Sequence, residues 1–197
     1  MALHGNQPLP GLHPIGNGVG GTAPRIRHYD VSATYATTIA EGCLVIKDTL
    51  GVNMAAAAGT ANATLANVVG VFAHNIDASP GAGTKVAVYD DPQQEFVAPM
   101  DATLTTTAAI EAVGQFIGCV SNVYNATLGQ GKLLLDTSSI TATKTNTVYL
   151  QVVGIQQDVG DSLAEQTINS VTYFGALRVK IADSIHQYAS GNAGRLT

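Results

Sequence analysis

Val148-Tyr149-Leu150-Gln151-Val152-Val153 is apolar almost throughout, and Lys85-Val86-Ala87-Val88-Tyr89 does not alternate cleanly between polar and apolar residues. A strand with one wet face alternates, whereas a strand covered on both faces reads as a continuous apolar run. These two segments therefore predict strands buried on both sides, in a sandwich core or a subunit interface. Outward from them, further short β-type runs fall at Cys43–Lys47, Val68–Ala73, Glu95–Ala98, Gln115–Ser121, Lys132–Leu135 and Leu177–Ala182. Between the runs lie Pro80-Gly81-Ala82-Gly83, Asp90-Asp91-Pro92 and Gly129-Gln130-Gly131. Glycine and proline break regular structure, so this spacing predicts an all-β body, a sandwich or tulip-like barrel. Helix is expected only at Thr106–Val113, with one more turn within Asp158–Asn169 and a long loop over Met54–Asn67.

Residues 1–30 differ in composition from the other segments of the chain. They hold Pro8, Pro10, Pro14 and Pro24 together with the glycine cluster Gly16–Gly21. That density sustains neither a helix nor a central strand. The organisation expected is an extended arm over 1–30 and a β-rich body over 31–197. The arm should be mobile when free and ordered by whatever binds it, and deleting it is expected to leave the body folded.

Composition narrows the function. Charged residues make up 12% of the 197, about half the usual globular share of roughly 25%. A chain that covers much of its surface with neighbours needs fewer charges than a monomeric enzyme. The net charge of −5 argues against binding nucleic-acid phosphates. No apolar run approaches the roughly 20 residues that span a bilayer, and the first residues lack the features of a signal peptide, so no membrane contact is expected. Cys43 and Cys119 sit in apolar runs and read as buried thiols, and the sequons at Asn62 and Asn125 carry little weight without secretion.

Motifs for chemistry are sparse. Gly16-Asn17-Gly18-Val19-Gly20-Gly21 matches the dinucleotide fingerprint literally, but it lies between Pro14 and Pro24 without the required strand and helix, so no cofactor is expected. His74 reads as a surface or hydrogen-bonded residue at a strand end, and no Gly-x-Ser-x-Gly elbow accompanies it. Asp90, Asp91 and Glu95 offer oxygens for calcium, yet Asp-Asp-Pro is first a turn signal. The acidic set Asp158, Asp161 and Glu165 reads similarly. No catalytic or metal-binding residue is assigned, and the chain is expected not to be an enzyme. Arg25, Arg27, His28 and Tyr29 are the arm's concentrated cationic and aromatic residues. Interfaces favour arginine and tyrosine, so these four are the candidate contact residues, with tethering of the arm to its own body as the plainer alternative.

The order of segments resembles the decoration, or cement, proteins of tailed-phage heads. Carrying the resemblance are Glu41-Gly42-Cys43-Leu44-Val45, Asn67-Val68-Val69-Gly70-Val71-Phe72 and Gly81-Ala82-Gly83-Thr84-Lys85-Val86-Ala87-Val88. Gln93-Gln94-Glu95-Phe96-Val97, Gly114-Gln115-Phe116-Ile117-Gly118, the span Val148–Asp158 and Ala176-Leu177-Arg178-Val179-Lys180-Ile181 continue it. The likeness covers roughly residues 40–185 and contains no diagnostic motif; the long chain and 30-residue arm depart from the smallest family members. It implies a structural virion protein on the outer capsid surface, made in the host cytoplasm. Its partner would be the major capsid protein, and its own state a homo-oligomer, a trimer before a dimer, with no cofactor. Two other classes compete with it. A tail- or fibre-associated adhesion module would recognise a host-surface glycan, and a small hydrolase would use a carboxylate pair in a deep polar cleft.

Overall fold

The computed structural model describes residues 11–15, 23–32, 38–47, 51–54, 68–76, 83–126, 130–145, 148–156, 165–168 and 171–182. The strands are β1 (His13–Ile15), β2 (Ile26–Asp30), β3 (Leu44–Lys47), β4 (Val52–Met54), β5 (Val68–Phe72), β6 (Lys85–Tyr89) and β7 (Glu95–Met100). After helix α1 (Thr106–Ala112) come β8 (Phe116–Asn125), β9 (Gln130–Thr141), β10 (Leu150–Gln156), β11 (Glu165–Ile168) and β12 (Val171–Ile181). The all-β expectation holds, and each of the eight sequence-predicted strands has its counterpart.

Two sheets organise the chain. The larger runs β1-β7-β9-β8-β10-β12-β11, and β7 pairs with β12 as well. That extra pairing closes β7, β9, β8, β10 and β12 into a ring. The joint between β7 and β9 is short, with Met100 beside Leu135 in parallel. Asp101 secures it: its backbone N–H donates to the Leu135 carbonyl at 2.9 Å, and its Oδ1 accepts from the Thr137 N–H and hydroxyl, both at 2.9 Å. The smaller sheet runs β2-β6-β5-β3-β4. A parallel bridge between Val31 and Val52 brings its two outer strands together at one end, where the Ser32 N–H donates to the Val52 carbonyl at 3.1 Å.

Two cores share the smaller sheet; of the apolar runs noted in the sequence, Val148–Val153 serves the larger core alone through Tyr149, Leu150 and Val152, while Val86 and Val88 serve the smaller one and Tyr89 packs against the larger. Leu44, Val68 and Val71 pack with Phe96, Ile117, Leu133, Leu135, Leu150 and Leu177 of the larger sheet. Their neighbours Val45, Val69 and Phe72 turn the other way, into a cluster with Val31, Ile39, Val52, Val86 and Val88. Successive residues of a strand point to opposite faces, so β3 and β5 supply both cores and must be apolar on both. Burying a side chain such as Phe72 contributes about 2–3 kcal/mol.

Helix α1 forms where the sequence predicts it. Thr105 caps it, its Oγ1 accepting from the Ala108 N–H at 3.1 Å, and Ala109 and Ala112 face inward. Of the segment Asp158–Asn169, where one helical turn is expected, the described part, Glu165–Ile168, is instead a strand paired antiparallel with the start of β12. Cross-strand pairing with β-branched Thr167 and Ile168 outweighs a cap signal in so short a segment. Residues 55–67, 157–164 and the glycine cluster at 16–21 lie outside the described residues.

The segment read as an arm supplies an edge strand to each sheet. β1 pairs antiparallel with β7 and β2 with β6. Edge positions suit a proline-bearing segment, because an edge strand leaves one row of ladder bonds unneeded. Leu12, next to β1, is 1% exposed and belongs to the larger core. Deleting residues 1–30 therefore removes core as well as surface, and the expectation that the body folds without them is withdrawn.

Closure of the smaller sheet depends on Gly51. Its φ is +151°, and a Cβ there would stand 2.5 Å from the Asp30 carbonyl oxygen and 2.7 Å from the Ser32 nitrogen. Gly51→Ala is expected to cost about 2 kcal/mol or more, since the obstruction is backbone that cannot swing aside. Urea unfolding of the variant reads this directly; a midpoint equal to that of the parent would contradict the closure.

Candidate attachment surface

Arg25, Arg27 and Tyr29 sit at alternate positions of one extended segment, so their side chains project to the same face of β2. The antiparallel register sets Ile26 opposite Tyr89, Arg27 opposite Val88 and Tyr29 opposite Val86. Asp90 follows β6, two residues beyond the inward-facing Val88. Register and alternation thus bring the carboxylate of Asp90 under Arg25, Arg27 and Tyr29.

The contacts are specific. Arg25 Nε donates to Asp90 Oδ1 at 2.8 Å, and its Nη2 to the Asp90 carbonyl at 2.8 Å. The Tyr29 hydroxyl donates to Asp90 Oδ2 at 2.7 Å, and Arg27 Nε lies 3.5 Å from the same oxygen. The Asp90 side chain is fully buried, whereas those of Arg25 and Arg27 are 41% and 56% exposed. A buried carboxylate without partners is costly, and charge-assisted hydrogen bonds from guanidinium and phenol offset that cost. Burial, and then the bond to Asp90, push the Tyr29 phenol well above its ordinary range, so it remains a donor. At the far end of β2, Lys85 Nζ meets Asp30 Oδ1 at 2.6 Å.

Of the four candidate contact residues, two are committed inward: Arg25 and Tyr29 grip Asp90. Arg27 reaches the same carboxylate more loosely, with over half of its side chain in solvent. His28 is exposed on the opposite face of β2, alternating with Ile26, an apolar side chain 47% exposed. The tethering alternative thus describes Arg25 and Tyr29, while Ile26 and His28 point outward and Arg27, on the Asp90 face, keeps over half of its side chain in solvent.

The carboxylates considered for calcium are engaged separately. Asp90 holds the arginines and Tyr29, Asp91 Oδ1 accepts from the Gln93 N–H at 2.9 Å within a turn, and Glu95 pairs with Arg178. Among the described residues, no group of three or more His, Cys, Asp and Glu side chains is placed to hold a metal ion. His74 lies in a bend after β5, and the side chain of Glu165 and the whole of Asp158 and Asp161 are not among the described groups. Cys43 and Cys119 are completely buried. Burial, and secondarily Cys119, push the Cys43 thiol up to about 12, so at neutral pH it is protonated and a poor nucleophile. Cys119 Sγ lies 3.0 Å from the Tyr149 hydroxyl, itself raised above its ordinary range by burial first and Cys119 second. Among the described residues no helix is long and apolar enough to cross a membrane.

Asp90 is the residue that sequence reading missed, taken as half of a turn signal. The available signal was the alternation Arg25-x-Arg27-x-Tyr29, which requires an anion facing it. Comparison of the chain with protein-family models, curated proteins and solved structures returned no match.

Asp90→Ala is expected to cost about 2 kcal/mol by removing the shared acceptor, and Tyr29→Phe about 1 kcal/mol. Arg27→Ala should change stability by less than about 0.5 kcal/mol, as for a surface position. Guanidinium unfolding of the three variants tests this order; an Arg27→Ala loss equal to that of Asp90→Ala would refute the division between the closely held Arg25 and Tyr29 and the looser Arg27.

Proposed function

We propose that the chain is a structural virion protein that binds the outer surface of a phage capsid and cements neighbouring major capsid proteins, stabilising the expanded head. The observation that carries this reading is the exposed part of β2. Ile26 and His28 on one face, and Arg27 half in solvent on the other, sit on an edge strand that the Asp90 contacts hold in place before any partner arrives. Preorganisation lowers the entropy lost on binding, and exposed arginine is a side chain that interfaces favour.

The work is mechanical and non-enzymatic. A homo-oligomer, a trimer by preference, presents several such strands at once, and repetition across a symmetric lattice multiplies weak contacts into firm attachment. The low charge of the chain fits a surface shared with neighbours. No cofactor or nucleic acid takes part in this scheme.

Co-sedimentation with expanded heads that lack the protein tests the proposal. Saturable binding at a lattice stoichiometry is expected, with heads that survive hotter. An Arg27→Ala/His28→Ala variant should bind at least tenfold more weakly while unfolding at the parent's temperature. Absence of binding to heads, with the protein found on tails or retained on a glycan array, would replace this reading with the adhesion module.

A further inference from the structure

Three backbone positions fix which edge of β2 is open. The Val31 N–H donates to the Thr84 carbonyl at 2.9 Å, on the β6 side, and the Ser32 N–H to the Val52 carbonyl at 3.1 Å, on the opposite side. The Asp30 carbonyl also faces that opposite side, where a Cβ on Gly51 would stand 2.5 Å from its oxygen. Successive residues of an extended strand direct their N–H and C=O groups to opposite edges. Arg27 and Tyr29 therefore direct theirs to the β6 ladder, and Ile26 and His28 direct theirs away from it. β2 ends the strand order of its sheet, so among the described residues no strand lies along that edge at Ile26–His28.

Charge at this edge opposes that of the chain. The exposed cations Arg25, Arg27 and Lys85 stand against the carboxylates of Asp90 and Asp30, a surplus of one positive charge where the whole chain carries −5. Arg27 holds the spare donors. Its Nε lies 3.5 Å from Asp90 Oδ2, which already accepts from the Tyr29 hydroxyl at 2.7 Å, and its two terminal nitrogens have no hydrogen-bond partner among the described residues. A guanidinium with free N–H groups meets a carboxylate in two parallel bonds. On the other face of β2, Ile26 is 47% exposed and His28 is exposed beside it.

We infer that the open edge of β2 accepts an extended acidic segment of the partner as an added strand, Ile26 and His28 bonding its backbone and Arg27 its carboxylate. A residue opposite Arg27 in the added strand stands about 5 Å away on the same face, within reach of the guanidinium, and its neighbours fall beside Ile26 and His28. Backbone bonds supply affinity and alternate side chains supply specificity, so the segment recognised is one that alternates acidic with apolar residues. This recognition rests on the reading of β2 as the attachment surface and gives the partner segment its shape and charge.

His28→Pro removes one outward N–H and sets a ring on the open edge, while the β6 ladder, which does not use that N–H, is kept. Co-sedimented with heads lacking the protein, this variant should bind at least about tenfold more weakly than the parent while unfolding at about the parent's temperature. Binding equal to the parent's overturns the added strand and leaves attachment standing; a parent that does not bind heads overturns attachment instead. A capped peptide, Val-Glu-Val-Glu-Val, tests the edge without heads and without any substitution. Titrated into isotope-labelled full-length protein, it should shift the Ile26 and His28 amide resonances saturably, and its lysine-for-glutamate counterpart should bind at least about tenfold more weakly. No shift at those amides, or equal binding of the two peptides, overturns the inference.

Discussion

The structure depends on a place where three backbones come closer than side chains would permit. The Leu12 N–H reaches the Gly42 carbonyl, the Gly11 N–H reaches Leu133, and the Gly131 N–H reaches the Glu41 carbonyl at 3.0 Å. A Cβ on Gly131 would stand 2.3 Å from that same Glu41 oxygen, so only glycine lets β9 approach the turn before β3. Beside this junction, buried Asn122 of β8 accepts from the Leu44 N–H at 2.8 Å and donates to the Leu44 carbonyl at 3.3 Å. Its amide continues the ladder from one sheet to the other. Buried polar groups are expensive unless satisfied, and here their satisfaction fixes how the two sheets meet.

That junction sets the remaining architecture. Leu44 is placed in the larger core and Val45 in the smaller, so β3 and β5 become a wall common to both. Closure of the smaller sheet then sets β2 at the rim, where its inward residues find Asp90 and its outward residues face solvent. The latch is polar and the face beyond it partly apolar, which leaves an edge strand both firmly held and available. An exposed edge is a liability in a protein meant to remain alone. In one that works by attachment it is the working surface.

Much of the fold was legible in the sequence, for identifiable reasons. Val148–Val153 and Lys85–Tyr89 announce strands by their apolar content, although the strands whose neighbouring residues enter both cores are β3 and β5, and Val148–Val153 serves the larger core alone. The run Thr106–Val113, rich in alanine, announces the one helix among the described residues. Four strands were missed, β1, β2, β4 and β11, and all four are short edge elements of their sheets. His13-Pro14-Ile15 has no β signal of its own and becomes a strand because β7 lacks a neighbour there. The candidate site was half legible. Composition singled out Arg25, Arg27, His28 and Tyr29, but which of them turn inward depends on Asp90, more than 60 residues away and disguised by a proline that marks a turn.

The cement role proposed for this chain would require it to transmit force through its junction without its sheets parting. Differential scanning calorimetry of the intact protein tests that requirement most directly. Welding of the two sheets through Asn122 and the glycine contacts predicts one transition whose calorimetric and van't Hoff enthalpies agree. Two resolved transitions, one for each sheet, would contradict it.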